Sequence, residues 1–210
     1  MTGLNPGKHG IFQWRTYDPT RYTCLDERLM TSAGLQGRTF WDVLGRAGYR
    51  VAAITVPMTY PAWPVNGFLL SGYPCPDGQL NYTSPQEWAG QLSESYNFDA
   101  DYYLHAPPAT IAREGLRMLE RRTSLMCDLI RNKGIDVGVV VLGEIDRAQH
   151  DFWKYTDPAF PAYHTPEGEQ YRGVIEEHYR VSDTQVGRLL ERAGEDAVVM
   201  IMSDHGGGSH

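Results

Sequence analysis

The sequence predicts an α/β protein with a mostly parallel sheet sandwiched between helices, and three observations lead there. Residues 137–142 (VGVVVL) form a continuous apolar, β-branched run, as expected of a strand covered on both faces. Two long stretches, 109–133 and about 167–193, repeat apolar residues at helical spacing, and each stops at a glycine, Gly134 and Gly194. Helices and strands alternate, and strand–helix–strand units with right-handed crossovers are the simplest assembly of that order.

Each element has a local reason. Residues 1–10 start no element, and Asn5-Pro6-Gly7 is turn chemistry, so the stretch reads as the exit from a preceding helix. Thr39 and Asp42 have capping-box spacing and open a helix that runs to Gly48, after which residues 50–56 read as a strand. Residues 57–108 are rich in Pro, Gly, Tyr and Trp without a sustained period. So long an irregular segment is unusual in a compact core, and a covering loop region or small cap is expected there. The helix over 109–133 rests on Ile111, Met118, Leu119, Leu125, Met126, Leu129 and Ile130. The helix over 167–193 rests on Tyr171, Ile175, Val186, Leu189 and Leu190, and it feeds an apolar strand over 197–202 (AVVMIM). The chain stops within eight residues of that strand, and both ends look cut. The expected organisation is one incomplete catalytic domain over residues 1–210, with a cap insertion at about 57–108.

Bulk properties exclude several classes. A formal net charge of -7 argues against an extended nucleic-acid surface, which needs clustered Lys and Arg. It leaves room for a small phosphorylated substrate, because bound divalent cations supply local positive charge. No apolar run approaches the length of a membrane span. Cys24, Cys75 and Cys127 are odd in number and lack CxxC spacing, so no disulfide framework is expected and a reducing compartment is favoured. With no signal peptide, the expectation is a cytoplasmic protein. The sequence does not specify an oligomeric state.

Two clusters carry chemistry. After the run at 137–142 comes Gly143-Glu144-Ile145-Asp146-Arg147-Ala148-Gln149-His150, and after 197–202 comes Ser203-Asp204-His205-Gly206. Ligands of open α/β sheets bind beyond the carboxyl ends of the strands, where both clusters are expected. Asp146 and His150 are one helical turn apart, so a helix sets carboxylate and imidazole on one face. Asp204 and His205 are adjacent and reach one site only where the backbone bends, which Gly206 to Gly208 permit. Carboxylate plus imidazole suits zinc, manganese or iron and lacks the all-oxygen character of a calcium or magnesium cage. Two such pairs suggest two metals about 4 Å apart, one activating a nucleophile and the other stabilising a leaving oxygen. Taken singly, each cluster has a plainer explanation, a surface hydrogen bond or an N-cap. Their joint occurrence after two strand-like runs favours the metal reading.

Asp146-Arg147-Ala148-Gln149-His150 followed by Phe152-Trp153, and then Ser203-Asp204-His205-Gly206, resemble the alkaline phosphatase superfamily. The closest likeness is to its type I phosphodiesterase/nucleotide pyrophosphatase branch. Supporting matches are Thr2-Gly3-Leu4-Asn5-Pro6-Gly7-Lys8-His9-Gly10-Ile11, Phe40-Trp41-Asp42-Val43-Leu44, Val56-Pro57-Met58-Thr59-Tyr60-Pro61, Val65-Asn66-Gly67-Phe68 and Ser71-Gly72-Tyr73. The resemblance implies an alkaline-phosphatase-like core and hydrolysis of a phosphodiester, nucleotide pyrophosphate or phosphomonoester through a covalent phospho-Thr or phospho-Ser. It implies two divalent ions, Zn2+ first and Mn2+ second, with Asp146 and His150 on one and Asp204 and His205 on the other. The nucleophile and an early Asp would precede Met1, and a third His would follow the Ser-Asp-His-Gly motif. The chain alone is then expected to be inactive.

Other residues rank lower. Arg147 and Gln149 flank the ligands and are candidates to contact phosphate or to orient a ligand, against a salt bridge or amide contact as the plain alternative. His210 lies only five residues after His205 on a glycine tether, too close for the remote third His. Thr2 is expected to be structural and His9 to make a local turn bond. His105, His164 and His178 are expected at the surface, and Trp63, Trp88, Phe152 and Trp153 in ordinary packing. The competing readings are a phosphoglycerate-mutase-like phosphotransferase, a sulfatase, disfavoured because no Cys has a nucleophile-like context, and an inactive fragment or pseudoenzyme that keeps the fold.

Overall fold

The computed structural model describes residues 1–18, 20–21, 23–76, 79–92 and 106–208. It is a mixed α/β structure whose chain clusters into two compact units. The first comprises Met1–Leu104 and Asp128–Val141, and the second His105–Cys127 and Leu142–His210.

The first unit is built on a sheet. Strand β3 (Val51–Val56) is buried at every position and pairs in parallel with β4 (Gly67–Ser71) on one side and β6 (Val137–Val140) on the other. β5 (Thr83–Ser84) pairs antiparallel with β4, giving the order β5-β4-β3-β6. Ahead of the sheet, β1 (Arg15–Asp18) and β2 (Thr23–Leu29) form a separate antiparallel pair. Residues 1–10, expected to start no element, hold the short helix α1 (Pro6–His9): the Asn5 side chain caps it and proline stands in its first turn, so the Asn-Pro-Gly turn chemistry opens a helix instead of only ending one. Helix α2 (Phe40–Arg46) starts on the expected capping box: the Thr39 hydroxyl accepts from the Asp42 amide while the Asp42 carboxylate accepts from the Thr39 amide. The same carboxylate accepts the Trp63 indole N–H at 2.8 Å, so the cap also pins a buried tryptophan that stacks on Trp41. Leu35, Trp41, Val51, Ala53, Val56, Met58, Trp63 and Leu69 form the core of this unit.

β3 ends irregularly. Its pairing with β4 shifts between Ile54 and Val56, and Thr55 stands at φ 53°. The buried Thr55 hydroxyl donates to the Val141 carbonyl at 3.0 Å, joining the carboxyl ends of β3 and β6.

Strand β4 corrects part of the cap expectation. Gly67–Ser71 is not covering loop but sheet, with Phe68, Leu69, Leu70 and Ser71 all buried. Its five residues sit among turn formers, and only a partner strand reveals them. The remainder of 57–108 contributes β5, a 3-10 turn at Gln86–Trp88 and helix α3 (Ala89–Leu92), while residues 93–105, His105 among them, lie outside the described ones.

Helix α4 (Pro108–Lys133) matches the predicted span within a residue and ends before Gly134, which takes φ 59°. Its residues up to Cys127 belong to the second unit and the rest to the first. The second unit adds α5 (Glu144–Thr156), a 3-10 turn at Pro161–His164, α6 (Pro166–Tyr171) and α7 (Val174–Ala193). The predicted helix over 167–193 is therefore two helices, interrupted at Arg172 and Gly173. Ile111, Ala148, Phe152, Tyr155 and Ile175 form the core here.

The buried stripe of α7 is Ile175, His178, Ser182 and Gln185, more polar than the apolar repeat suggested; Leu190 is exposed. His178 thus corrects the expectation of a surface residue. Its Nδ1 hydrogen-bonds the Val174 carbonyl at 2.8 Å, and a Cβ on Gly115 would stand 2.6 Å from its Nε2, so α4 and α7 touch where Gly115 leaves room. Burial pushes the imidazole below its ordinary range, and the bond to Val174 offsets part of that. In the unfolded chain the ring takes a proton near pH 6.5, in the folded one only at lower pH. Stability from the neutral ring is complete above about pH 6.5 and is lost as pH falls below it. The urea midpoint is expected to drop on acidification from about pH 7 to about pH 5, and to drop less in His178→Gln. Equal drops in the two proteins would remove His178 from that account.

The expected strand over 197–202 is not formed. Residues 198–202 have no regular secondary structure and make no ladder hydrogen bond, and their exposure runs from 48% to 97%. β-branched composition favours a strand only where a partner takes its backbone N–H and C=O groups, and among the described residues none does. β6 is likewise only half-buried, not fully covered.

Candidate metal centre

Helix α5 builds half of the site by its periodicity. Glu144, Ala148, Phe152 and Tyr155 recur at intervals of three to four and form the buried face. Asp146 and His150 are offset by about half a turn and project from the opposite face, one above the other. His150 Nε2 lies 3.6 Å from Asp146 Oδ1. The Asp204–His205 segment supplies the other half: His205 Nε2 lies 3.9 Å from the same Asp146 oxygen and 3.8 Å from Asp204 Oδ2. All four residues predicted from the two motifs therefore meet within the second unit, although the strand expected to deliver the last two does not form.

His205 is turned as a ligand would be. Its Nδ1 is 3.0 Å from the Gly206 carbonyl and donates there, which leaves Nε2 toward the carboxylates. The Gly206 carbonyl, then Asp204 and Asp146, hold its pKa above the usual imidazole value. The arrangement is open. Side-chain exposures are 51% for Asp146, 63% for His150, 60% for His205 and 90% for Asp204.

Two carboxylates with two imidazoles are the donor types of a divalent transition-metal site, and two imidazole nitrogens turn toward one carboxylate oxygen without reaching hydrogen-bond distance. The donor chemistry fits a metal. The side chains do not close on a single point, and among the described residues no group of three or more His, Cys, Asp or Glu is close enough to hold an ion.

The neighbours sort cleanly. Arg147 pairs with Asp151 at 2.6 Å, the plain salt-bridge alternative. Gln149 donates its amide N–H to the Tyr179 hydroxyl at 2.7 Å. Glu144, first residue of α5, is buried against Arg122 at 2.7 Å; burial raises its carboxyl pKa and Arg122 only partly offsets that. His164 is exposed and meets the Pro158 carbonyl, and His9 accepts the Ile11 amide in its turn, as expected. The Thr2 hydroxyl accepts the Leu4 amide; Thr2 and His9 line an open pocket of about 210 Å³ in the first unit. Trp63 and Phe152 are buried in the two cores, and Trp88 meets the Phe68 ring edge-on. His210 lies outside the described residues. Sequence reasoning missed Tyr179, Arg122 and the role of Glu144, because each matters through a partner on another helix. Glu144, an acid opening a helix two residues before a candidate ligand, was the available signal.

All 210 residues match the profile of the type I phosphodiesterase / nucleotide pyrophosphatase family. The chain belongs to that family. It thereby falls in the alkaline phosphatase superfamily, and membership supports phosphoester hydrolysis of the phosphodiesterase or nucleotide pyrophosphatase type. The family is generally dependent on divalent metal. No curated protein and no solved structure matches the chain significantly. Among the described residues no helix is long and apolar enough to cross a membrane.

Proposed function

We propose that this chain supplies Asp146, His150, Asp204 and His205 as metal ligands of a phosphoester hydrolase acting on a small phosphodiester, nucleotide pyrophosphate or phosphomonoester. The observation that carries the reading is the convergence of His150 and His205 on the Asp146 carboxylate, from two segments that both lie within the family match. Asp146 and His150 would hold one ion and Asp204 and His205 a second, Zn2+ or Mn2+. When bound, the ions would neutralise phosphate charge and favour ionisation of an attacking hydroxyl. The chain's own contribution is to orient both imidazoles: His205 through its bond to the Gly206 carbonyl, and His150 through its place one turn after Asp146. Domain organisation follows the same reading, one catalytic domain with part of residues 57–108 as its cover. The proposed reaction would pass through a phospho-Thr or phospho-Ser.

Elemental analysis of protein purified without chelator tests this. Zinc or manganese is expected in the parent, with about half of it lost in Asp146→Ala and a similar share in Asp204→Ala if each removes one ion. A parent with no metal above background, together with a full-length protein that leaves bis-p-nitrophenyl phosphate intact, would sink the proposal.

A further inference from the structure

Gln149 stands between the two halves of the site and touches both the helix beside it and the segment that ends in Asp204 and His205. Its Nε2 donates to the Tyr179 hydroxyl on α7 at 2.7 Å. Against its other side lies Gly207, two residues beyond His205. A Cβ built on Gly207 would meet the Gln149 carboxamide at 2.3 Å from Oε1, 2.5 Å from Cδ and 2.7 Å from Nε2. The carboxamide therefore fills the space that any side chain at 207 would need. With any other residue at 207 the carboxamide would have to leave this place, since a Cβ and the amide cannot share it.

The rest of the Asp204–His205 segment has few other anchors. Residues 198–202 make no ladder bonds, and the Ser203 hydroxyl and His205 ring both bond within the segment itself, to the His205 and Gly206 carbonyls. The approach of His205 to Asp146 needs an external seat, and the Gln149 amide is the side chain packed against the glycine run that follows. Tyr179 orients that amide by accepting its N–H.

We propose that Gln149, steadied by Tyr179, is a positioning residue: it seats Gly207 and so sets Asp204 and His205 against the Asp146–His150 pair. The proposal rests on the metal reading above and adds to it a reason for glutamine at 149 and glycine at 207. Gln149 acts here through Gly207, so its effect must fall on Asp204 and His205 and spare Asp146 and His150.

The test is a Zn2+ titration of the full chain, following the His150 and His205 imidazole resonances separately by NMR, in the parent and in Gln149→Ala, Tyr179→Phe and Gly207→Ala. The His205 midpoint is expected to move to about tenfold higher Zn2+ in Gln149→Ala and Gly207→Ala, and by less in Tyr179→Phe. The His150 midpoint stays within about twofold, and the thermal midpoint of Tyr179→Phe stays at the parent's. In the metal-free parent, a nuclear Overhauser contact between the Gln149 amide protons and the Gly207 Hα protons is expected, and it weakens in Tyr179→Phe. A parent in which both imidazoles respond to Zn2+, but whose variants shift them together or not at all, overturns the positioning role and leaves the metal reading standing. A parent whose imidazoles ignore Zn2+ overturns the metal reading, and this inference with it.

Discussion

Breaking the Arg122–Glu144 pair is expected to cost about 3–5 kcal/mol of stability, read as a shift of the urea transition that reports the second unit. The guanidinium Nη1 stands 2.7 Å from Glu144 Oε1, with only 14% of the arginine and 6% of the glutamate side chain exposed. Neither group can be well hydrated there, and Glu144 Oε2 has no hydrogen-bond partner among the described residues. Arg122→Ala removes the cation that offsets burial of the carboxylate, and Glu144→Ala takes the buried carboxylate away from the guanidinium, which stays charged. Each single change therefore removes a short, buried charge-assisted contact from the group that remains. The double change Arg122→Met with Glu144→Leu removes both charges while keeping apolar volume, and is expected to recover more than half of either loss. Urea melts of the four proteins decide the matter. Single variants within about 1 kcal/mol of the parent would mean that the pair anchors nothing. The position matters for function because Glu144 opens α5, two residues before Asp146, so the pair fastens the helix that presents Asp146 and His150.

How much of this was legible depended on the range of the interaction. The α2 cap is written in Thr39 and Asp42 three residues apart, and the end of α4 in Gly134, so both were read correctly from local sequence. The same holds for Asp146 and His150, whose meeting needs only a helix. β4 was not legible, because its five residues become a strand through pairing with Val51 to Val56 and carry no period of their own. Residues 197–202 failed in the opposite sense: their composition is that of a strand, yet composition without a partner leaves them exposed. His178, Ser182 and Gln185 show a third limit, since an apolar pattern cannot reveal that a helix buries a polar stripe, with His178 set against a glycine on α4.

The candidate site divides along the same line. Its ligand types and their pairing were evident in two short motifs, and the structure joins the motifs through Asp146. The supports were not evident. Tyr179 is thirty residues from Gln149, and Gly207 looks like any flexible glycine until a carboxamide is found in the place of its missing side chain.

The second large effect is expected at Gly67, where replacement by alanine should cost about 4 kcal/mol, with Gly48→Ala as the control at about 1–2 kcal/mol. Both glycines have positive φ, 146° at Gly67 and 97° at Gly48, so both substitutions strain the backbone. They differ in what the new Cβ meets. At Gly48 nothing lies within 4 Å, whereas at Gly67 the Val51 carbonyl oxygen would be 2.0 Å away and the Val51 nitrogen 2.9 Å. Those atoms are backbone of the central strand, and Val51 N is already engaged by the Asn66 carbonyl at 2.9 Å, so they cannot yield without parting β3 from β4. The comparison also decides the nature of residues 57–108. If Gly67–Ser71 were part of a covering loop, the chain would move aside and the two alanine variants would melt alike. A gap of 2 kcal/mol or more, on the order of a steric clash that cannot relax, places β4 in the sheet in solution.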